Sequence, residues 1–400
     1  MTAMVATDLA ITGGRVVDPA SDIDAAADVI VHDGRLAEVF PREADRDRAT
    51  NHDAATRIAT AEQVIDATGM LVLPGLIDFH VHVFEGVSHY GIDADTYCLQ
   101  RGVTNAVDAG SAGAQTFAGF KRFIMDGAKT GLHAYLNIST TGMLAPEAGE
   151  LEDPRFLVAD KALEVATSHP DEIVGIKLRV GNRNAGHPDT RLALATAKSV
   201  ASEAGLPLMV HITNATVPLA DIMATLGYGD VVTHCYHGKR GGILTPDDKV
   251  EPFVLDALDR GVLLDVGHGR SALNYHVART AMAAGVTPHH VSSDLHVYNA
   301  DGPAYDLVTT MSKMLHLGMD LVDIVASVTH RPAKTMHRDD VIGSLQIGRE
   351  ADVTIVEILE GGWDLEDSEG EVERLEHLMV PRWVVRQGRA MPLAASVHEL

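Results

Sequence analysis

From about residue 71 onward the chain repeats one grammar: a short apolar run, a turn of small and polar residues, then a stretch with helical spacing. The apolar runs are LVLPGLIDFHVH, VTNAVDA, HAYLNIS, IVGIKLRV, LPLMVHIT, DVVTHCY, VLLDVGHG and HHVSSDLH. Helix-period stretches such as RLALATAKSVASEAG and ARTAMAAGV lie between them, many closed by the glycine that a left-handed C-cap favours. Eight such units over about 265 residues have the size and rhythm of an α/β fold of the (β/α)8 TIM barrel kind. A doubly wound open sheet is the nearest rival, but no GxGxxG follows an early strand.

The two ends of the chain read differently. DLAITGGRVVDP and ADVIVHDGRLAEVF alternate apolar and polar residues around Gly-Gly and Asp-Gly turns, and IGSLQIGREADVTIVEI and LMVPRWVVRQGRAM return to strands near the C-terminus. Residues 1–70 and 338–400 are therefore expected to form a small β-sandwich domain beside a barrel spanning 71–337. Within that domain READRDRATNHDAATRIATAE reads as an exposed connection, and GGWDLEDSEGEVERLE as an acidic surface loop.

Composition narrows the partners. A formal net charge of −24 argues against nucleic acid and anionic membrane. No run approaches the roughly 18 apolar residues of a membrane span, and the N-terminus lacks a basic region followed by a long apolar core. With Cys98 and Cys235 as its two cysteines the chain has no disulfide framework, so a cytoplasmic location is expected.

Lys177 breaks the pattern of a strand buried on both faces, because IVGIKLRV is otherwise apolar up to Arg179. An isolated ammonium taken out of water loses its charge or finds a partner. In a barrel the C-terminal ends of the strands converge on one face, where catalysis occurs. The first strand ends in His80 and His82, two apart and so on one side. The fourth presents Lys177, the fifth His211, the sixth His234, the seventh His268 and the eighth Asp294. Alone, HxH is common by chance, either His211 or His234 reads as a hydrogen-bonded core histidine, and Asp294 reads as a helix N-cap. Jointly, ligand-type residues ending successive strands point to a metal site. Arg179 lies two residues beyond Lys177 at the rim, where a guanidinium can clamp a substrate carboxylate or pair with a loop acid. His268 is expected to donate a hydrogen bond to substrate.

PGLIDFHVH, the fourth-strand lysine, the two later histidines and SSDLH resemble the amidohydrolase superfamily of metal-dependent barrel hydrolases, as do ITGGRVVDP, VTHRPAK and IGSLQIGREADVTIVE. VTHCYHGK, LDVGHGRSA and SSDLH, followed by DLVTTMSKML, resemble its amidohydrolase/deacetylase branch, often described as dihydroorotase-like. The resemblance implies two divalent metal ions, with zinc the first choice. His80, His82 and Asp294 would hold one ion, His211 and His234 the other, and N6-carboxylysine at Lys177 would bridge them. Paired ions lower the pKa of a shared water from 15.7 towards about 7, and Asp294 would move the proton to the leaving group. The implied reaction is hydrolysis of an amide or ester in a small carboxylate-bearing molecule, of N-acetyl D-amino acid or O-acetyl α-hydroxy acid type, with Arg179 or His268 reading the acid. Ring opening of a cyclic amide, as in dihydroorotase or hydantoinase relatives, is the alternative. A non-catalytic scaffold would lack ligands that are present here. Deaminases of the superfamily place a glutamate after the fifth-strand histidine, where this chain reads HITNAT. The superfamily is commonly oligomeric, so a homo-oligomer stays open.

Overall fold

The computed structural model describes residues 7–41, 55–147, 149–181, 190–396 and 398–399, so residues 42–54 of the expected exposed connection lie outside it. Five strands open the chain: β1 (Thr7–Asp18), β2 (Ile23–His32), β3 (Arg35–Pro41), β4 (Ala61–Asp66) and β5 (Leu71–Pro74). Seven follow in the middle: β6 (Leu76–Val81), β7 (Val103–Gly113), β8 (Gly131–Asn137), β9 (Ile173–Arg179), β10 (Leu208–His211), β11 (Val231–Thr233) and β12 (Leu263–Asp265). The last three are β13 (Val353–Glu366), β14 (Val372–Arg386) and β15 (Arg389–Pro392).

Strands β6 to β12 lie side by side in sequence order as one parallel sheet. The eighth segment, HHVSSDLH, makes no continuous ladder. It touches both edges through single parallel bridges, Asp265 to His290 and Val81 to Leu295, giving a TIM-barrel-like fold. Side-chain bonds do much of the joining here: Asp78 takes the Ser293 hydroxyl and backbone N–H, and Asp265 takes the Ser292 hydroxyl at 2.6 Å. Outward-facing Ile176 and Leu178 of β9 join the large core of strands and helices, while Phe79, Tyr135 and Met209 fill the barrel's lower interior. Gly175 is required there, since a Cβ would lie 2.0 Å from the Tyr135 ring. Among the described residues no helix is long and apolar enough to cross a membrane.

The expected β-sandwich is not confirmed: the two chain ends form a mixed sheet in the order β15-β14-β13-β5-β1-β2-β3, with β4 beside β1. It is continuous because β5 pairs with β1 on one side and β13 on the other, splicing the two chain ends. The segment LVLPGLIDFHVH is thus two strands rather than one. Pro74 offers no N–H to continue a ladder, and Gly75 crosses where a Cβ would sit 2.3 Å from Thr104 Oγ1. The acidic run expected as a surface loop is instead the far end of a hairpin: β13 and β14 stay paired out to Glu366 and Val372. Its turn meets the barrel, where Ser368 N–H donates to the Leu273 carbonyl at 2.9 Å and Leu273 N–H to Ser368 Oγ at 3.1 Å.

Asp352 ties the sheet to the barrel. Its buried carboxylate accepts from Arg386 at 2.8 Å, Gln387 N–H at 2.9 Å and Asn105 Nδ2 of β7 at 2.9 Å. Asp352→Ala leaves a largely buried guanidinium with Glu350 alone, and should lower stability by about 2–3 kcal/mol. Urea unfolding monitored by circular dichroism checks this; an unshifted midpoint would show that the tie carries no weight.

Candidate metal centre

A cavity of about 380 Å³ opens at the C-terminal ends of the parallel strands. His80, His82, Lys177, Arg179, His211, His234 and Asp294 all line it. His268 does not lie on the lining.

His80 and His82 come from the end of β6, and their Nε2 atoms each lie 3.3 Å from Asp294 Oδ1. The ligand atoms of these three buried residues fall within 4.8 Å of one another. The outer nitrogens are engaged elsewhere: His80 Nδ1 meets Thr233 Oγ1 at 2.9 Å, and His82 Nδ1 meets Ser111 Oγ at 2.9 Å. Thr233 in turn donates to the buried Asp265 carboxylate at 2.6 Å. His234 Nδ1 faces the Gly267 carbonyl at 2.7 Å, and His211 Nε2 the Thr213 carbonyl at 3.2 Å. The contacts of His80, His211 and His234 leave the other ring nitrogen as the acceptor, the arrangement that orients histidines on a metal. The His211 and His234 rings stand 4.4 Å apart, and His80 lies 5.1 Å from His234. Burial, the largest cause, holds His82 and His234 at about 3 and His80 and His211 well below their ordinary value, so all four rings are neutral with lone pairs available.

Two ligand-type residues sit on unusual backbone. His234 has φ 71° and Asp294 φ 47°, a left-handed region that non-glycine residues adopt at a cost and that clusters at functional sites. Asn299 Nδ2 supports the second by donating to the Asp294 carbonyl at 2.7 Å.

Lys177 lies in the middle of this group. The residue is 1 % exposed, and its amine lies 3.4 Å from His80 Nε2 and 3.3 Å from the Met209 sulfur. Burial lowers its pKa to about 7, against a smaller upward pull from Asp294. Space for the stem is made by Gly110, whose Cβ would fall 2.7 Å from Lys177 Cβ, and whose φ of +92° also favours glycine.

Arg179 is placed at the rim with partners of its own. Nη1 donates to Glu150 at 2.9 Å and Nη2 to the Tyr90 hydroxyl at 3.3 Å, with the guanidinium over the Tyr90 ring. The loop-acid alternative is what the structure displays. His268 departs from expectation: Lys313 Nζ donates to its Nε2 at 2.9 Å, while Nδ1 faces the Gly269 carbonyl and Ser368. These contacts join the buried ring to Lys313 and to the loop after β12. Lys313 has no strand-end signal, lying in the helix Leu307–His316, and it also donates to Pro303 and Glu366 carbonyls at 2.6 and 2.7 Å. Sequence reasoning passed over Asp78, Asp265, Glu150 and Lys313. The D of LIDFHVH and of LLDVGHG was visible as an acid inside an apolar run, the same anomaly that singled out Lys177.

Comparison with known proteins follows from this geometry. The model of the amidohydrolase family matches residues 71–391. A deacetylase from Agrobacterium fabrum is 35% identical over 84% of this chain and 81% of its own length. Among solved structures, an adenine deaminase superposes with TM-score 0.86 at 32% identity, over 96% of this chain and 100% of that one. A dihydroorotase superposes with TM-score 0.85 at 30% identity, over 98% of this chain and 99% of the other.

The Thr233 relay has a measurable consequence. Thr233→Val keeps the shape but leaves His80 Nδ1 with only the distant Asp265 oxygen, 3.4 Å away. Retention of divalent metal after dialysis should fall about 10- to 100-fold, the usual cost of removing an outer partner of a metal-binding histidine. Unchanged retention by elemental analysis would mean that Thr233 does not orient the ring.

Proposed function

Because the chain belongs to the amidohydrolase family and is a hydrolase acting on C–N bonds, we propose that it removes an acyl group from a small carboxylate-bearing molecule, of N-acetyl D-amino acid or O-acetyl α-hydroxy acid type. The observation carrying this reading is the gathering of four neutral imidazoles, one amine and one carboxylate in a single cavity at the strand ends. The deacetylase relative, similar over most of both chains, supports the acyl-transfer chemistry.

The donor set fits two metal ions. In this reading His80, His82 and Asp294 hold one, and His211 and His234 the other. Lys177 Nζ could add to carbon dioxide, forming an N–C bond and giving up one proton to solvent, and the carbamate would be an anionic oxygen donor for the ions. Its desolvated amine suits that addition, since a neutral amine is the nucleophile. When bound, two hard divalent ions, zinc by preference for mixed nitrogen and oxygen donors, acidify water and polarise the scissile carbonyl.

The protein's own groups do the rest. Asp294, held against His80 and His82, accepts the proton of the attacking water and returns it to the departing nitrogen or oxygen. Asp265, through Thr233, and Ser111 keep the outer nitrogens of His80 and His82 occupied, so that both rings face inward. The strand ends and Tyr90 shield the reacting atoms from bulk water, which strengthens every charge interaction inside.

A second reading, ring opening of a cyclic amide, draws support from the dihydroorotase neighbour. The same centre would serve it, and the difference lies in the loops. Adenine deamination, the activity in the name of the other neighbour, suits the site less, because HITNAT after β10 has no glutamate.

Two experiments test these proposals. Protein prepared with zinc and bicarbonate is screened against N-acetyl and O-acetyl acids of both configurations, and against hydantoins, cyclic imides and dihydroorotate. Turnover is expected in the acetylated set; turnover confined to the cyclic set transfers the assignment to the second reading. For the bridge, Lys177→Ala should lose metal and activity together, with partial return on adding short carboxylic acids. A variant that keeps two metals per chain and full turnover would refute the carbamate.

A further inference from the structure

Arg179, the guanidinium nearest the centre along β9, is already committed to Glu150 and Tyr90. A second carboxylate arriving there would have to share a cation whose charge a buried acid neutralises. Arg270 presents the opposite case. It lines the same cavity, it is exposed, and among the described residues no hydrogen bond or ion pair holds its side chain. We propose that Arg270 is the residue that reads the substrate's carboxylate, a specificity role that rests on the hydrolytic reading of this site.

Its position supports this. The preceding residue, Gly269, packs directly on the reacting end of the cavity: a Cβ there would lie 2.4 Å from Asp294 Oδ2. The Arg270 Cα is about 3.8 Å further along the chain, so the side chain starts beside the Asp294 carboxylate and lines the cavity. Its base is rigid. Backbone bonds join His268 N–H to Ser292 at 3.1 Å, Gly269 N–H to Ser293 at 3.0 Å and Ala272 N–H to His268 at 3.2 Å. Lys313 pins the His268 ring from below. A guanidinium on a fixed base presents its fork without first ordering the loop, which favours bidentate recognition of a carboxylate.

The charge distribution agrees. The chain carries −24, yet the cavity lining holds Lys177, Arg179 and Arg270 against one carboxylate, Asp294. Arg179 is paired with Glu150, so Arg270 is the guanidinium of the lining that no side-chain bond engages among the described residues. A cleft whose sign opposes that of the molecule concentrates anions of small size.

The test uses the metal-loaded enzyme and N-acetyl D-amino acids paired with their primary amides, which differ only in the charge to be read. Wild-type kcat/KM should favour the acids. Arg270→Gln should raise KM for the acids roughly 10- to 100-fold with a much smaller change in kcat, closing the gap between acid and amide, and Arg270→Lys should restore only part of it. Calorimetric binding of the free D-amino acids and their amides reads the same preference without turnover. An acid-over-amide preference equal in wild type and Arg270→Gln, with metal content matched, overturns the proposal. Acid binding that depends on Arg270 in an enzyme that hydrolyses neither partner supports the proposal and removes N-acetyl D-amino acids from the hydrolytic reading instead.

Discussion

Closure of the ring between β12 and β6 is the constraint on which the cavity depends. The closing segment is too irregular for a ladder, and two buried carboxylates take the ladder's place. Asp78 on β6 grips Ser293, and Asp265 at the end of β12 grips Ser292, so both neighbours of the gap hold adjacent residues of one segment. Burial raises the carboxyls to about 7 and about 6, while the serine hydroxyls pull them back down. The next residue is Asp294. Its left-handed backbone turns the carboxylate inward, onto the two histidines of β6. These bonds add to the backbone bridges that set the distance between the first and last contributors to the cavity.

Desolvation links that geometry to chemistry. Burial at the strand ends favours neutral imidazoles, and it draws an amine with no carboxylate in hydrogen-bonding range among the described residues towards neutrality. Those are the protonation states that metal ligands and a carbamate-forming lysine require. Burial that would be a defect in an ordinary core thus prepares this site.

The mixed sheet reaches the same region from outside. Its β13–β14 arm ends against the loop after β12, where Ser368 bonds Leu273 and Lys313 draws together Glu366, Pro303 and His268. The loop that carries Arg270 is therefore braced by a barrel helix and by the hairpin. Such bracing accounts for a buried lysine, remote in sequence, that has no place among the ligands.

Local sequence determined a good deal. The alternation of apolar runs and helical spacing specified a barrel-like α/β fold, because burial on both faces of a strand can be read from neighbouring residues alone. Ligand-type side chains at strand ends are also local features, and His80, His82, Lys177, His211, His234 and Asp294 do face one cavity. Pairing partners are not local. The splice of both chain ends through β5, which yields one sheet where a sandwich was expected, depends on which edges meet across hundreds of residues. So does the extension of an acidic run into a hairpin, since its cross-strand contacts outweigh its solubility as a loop. The same holds for the fates of the two candidates for substrate contact. Arg179 and His268 occupy promising strand-end positions, but only tertiary structure supplied Glu150 to the one and Lys313 to the other, and a side chain's availability is set by the partners folding brings to it.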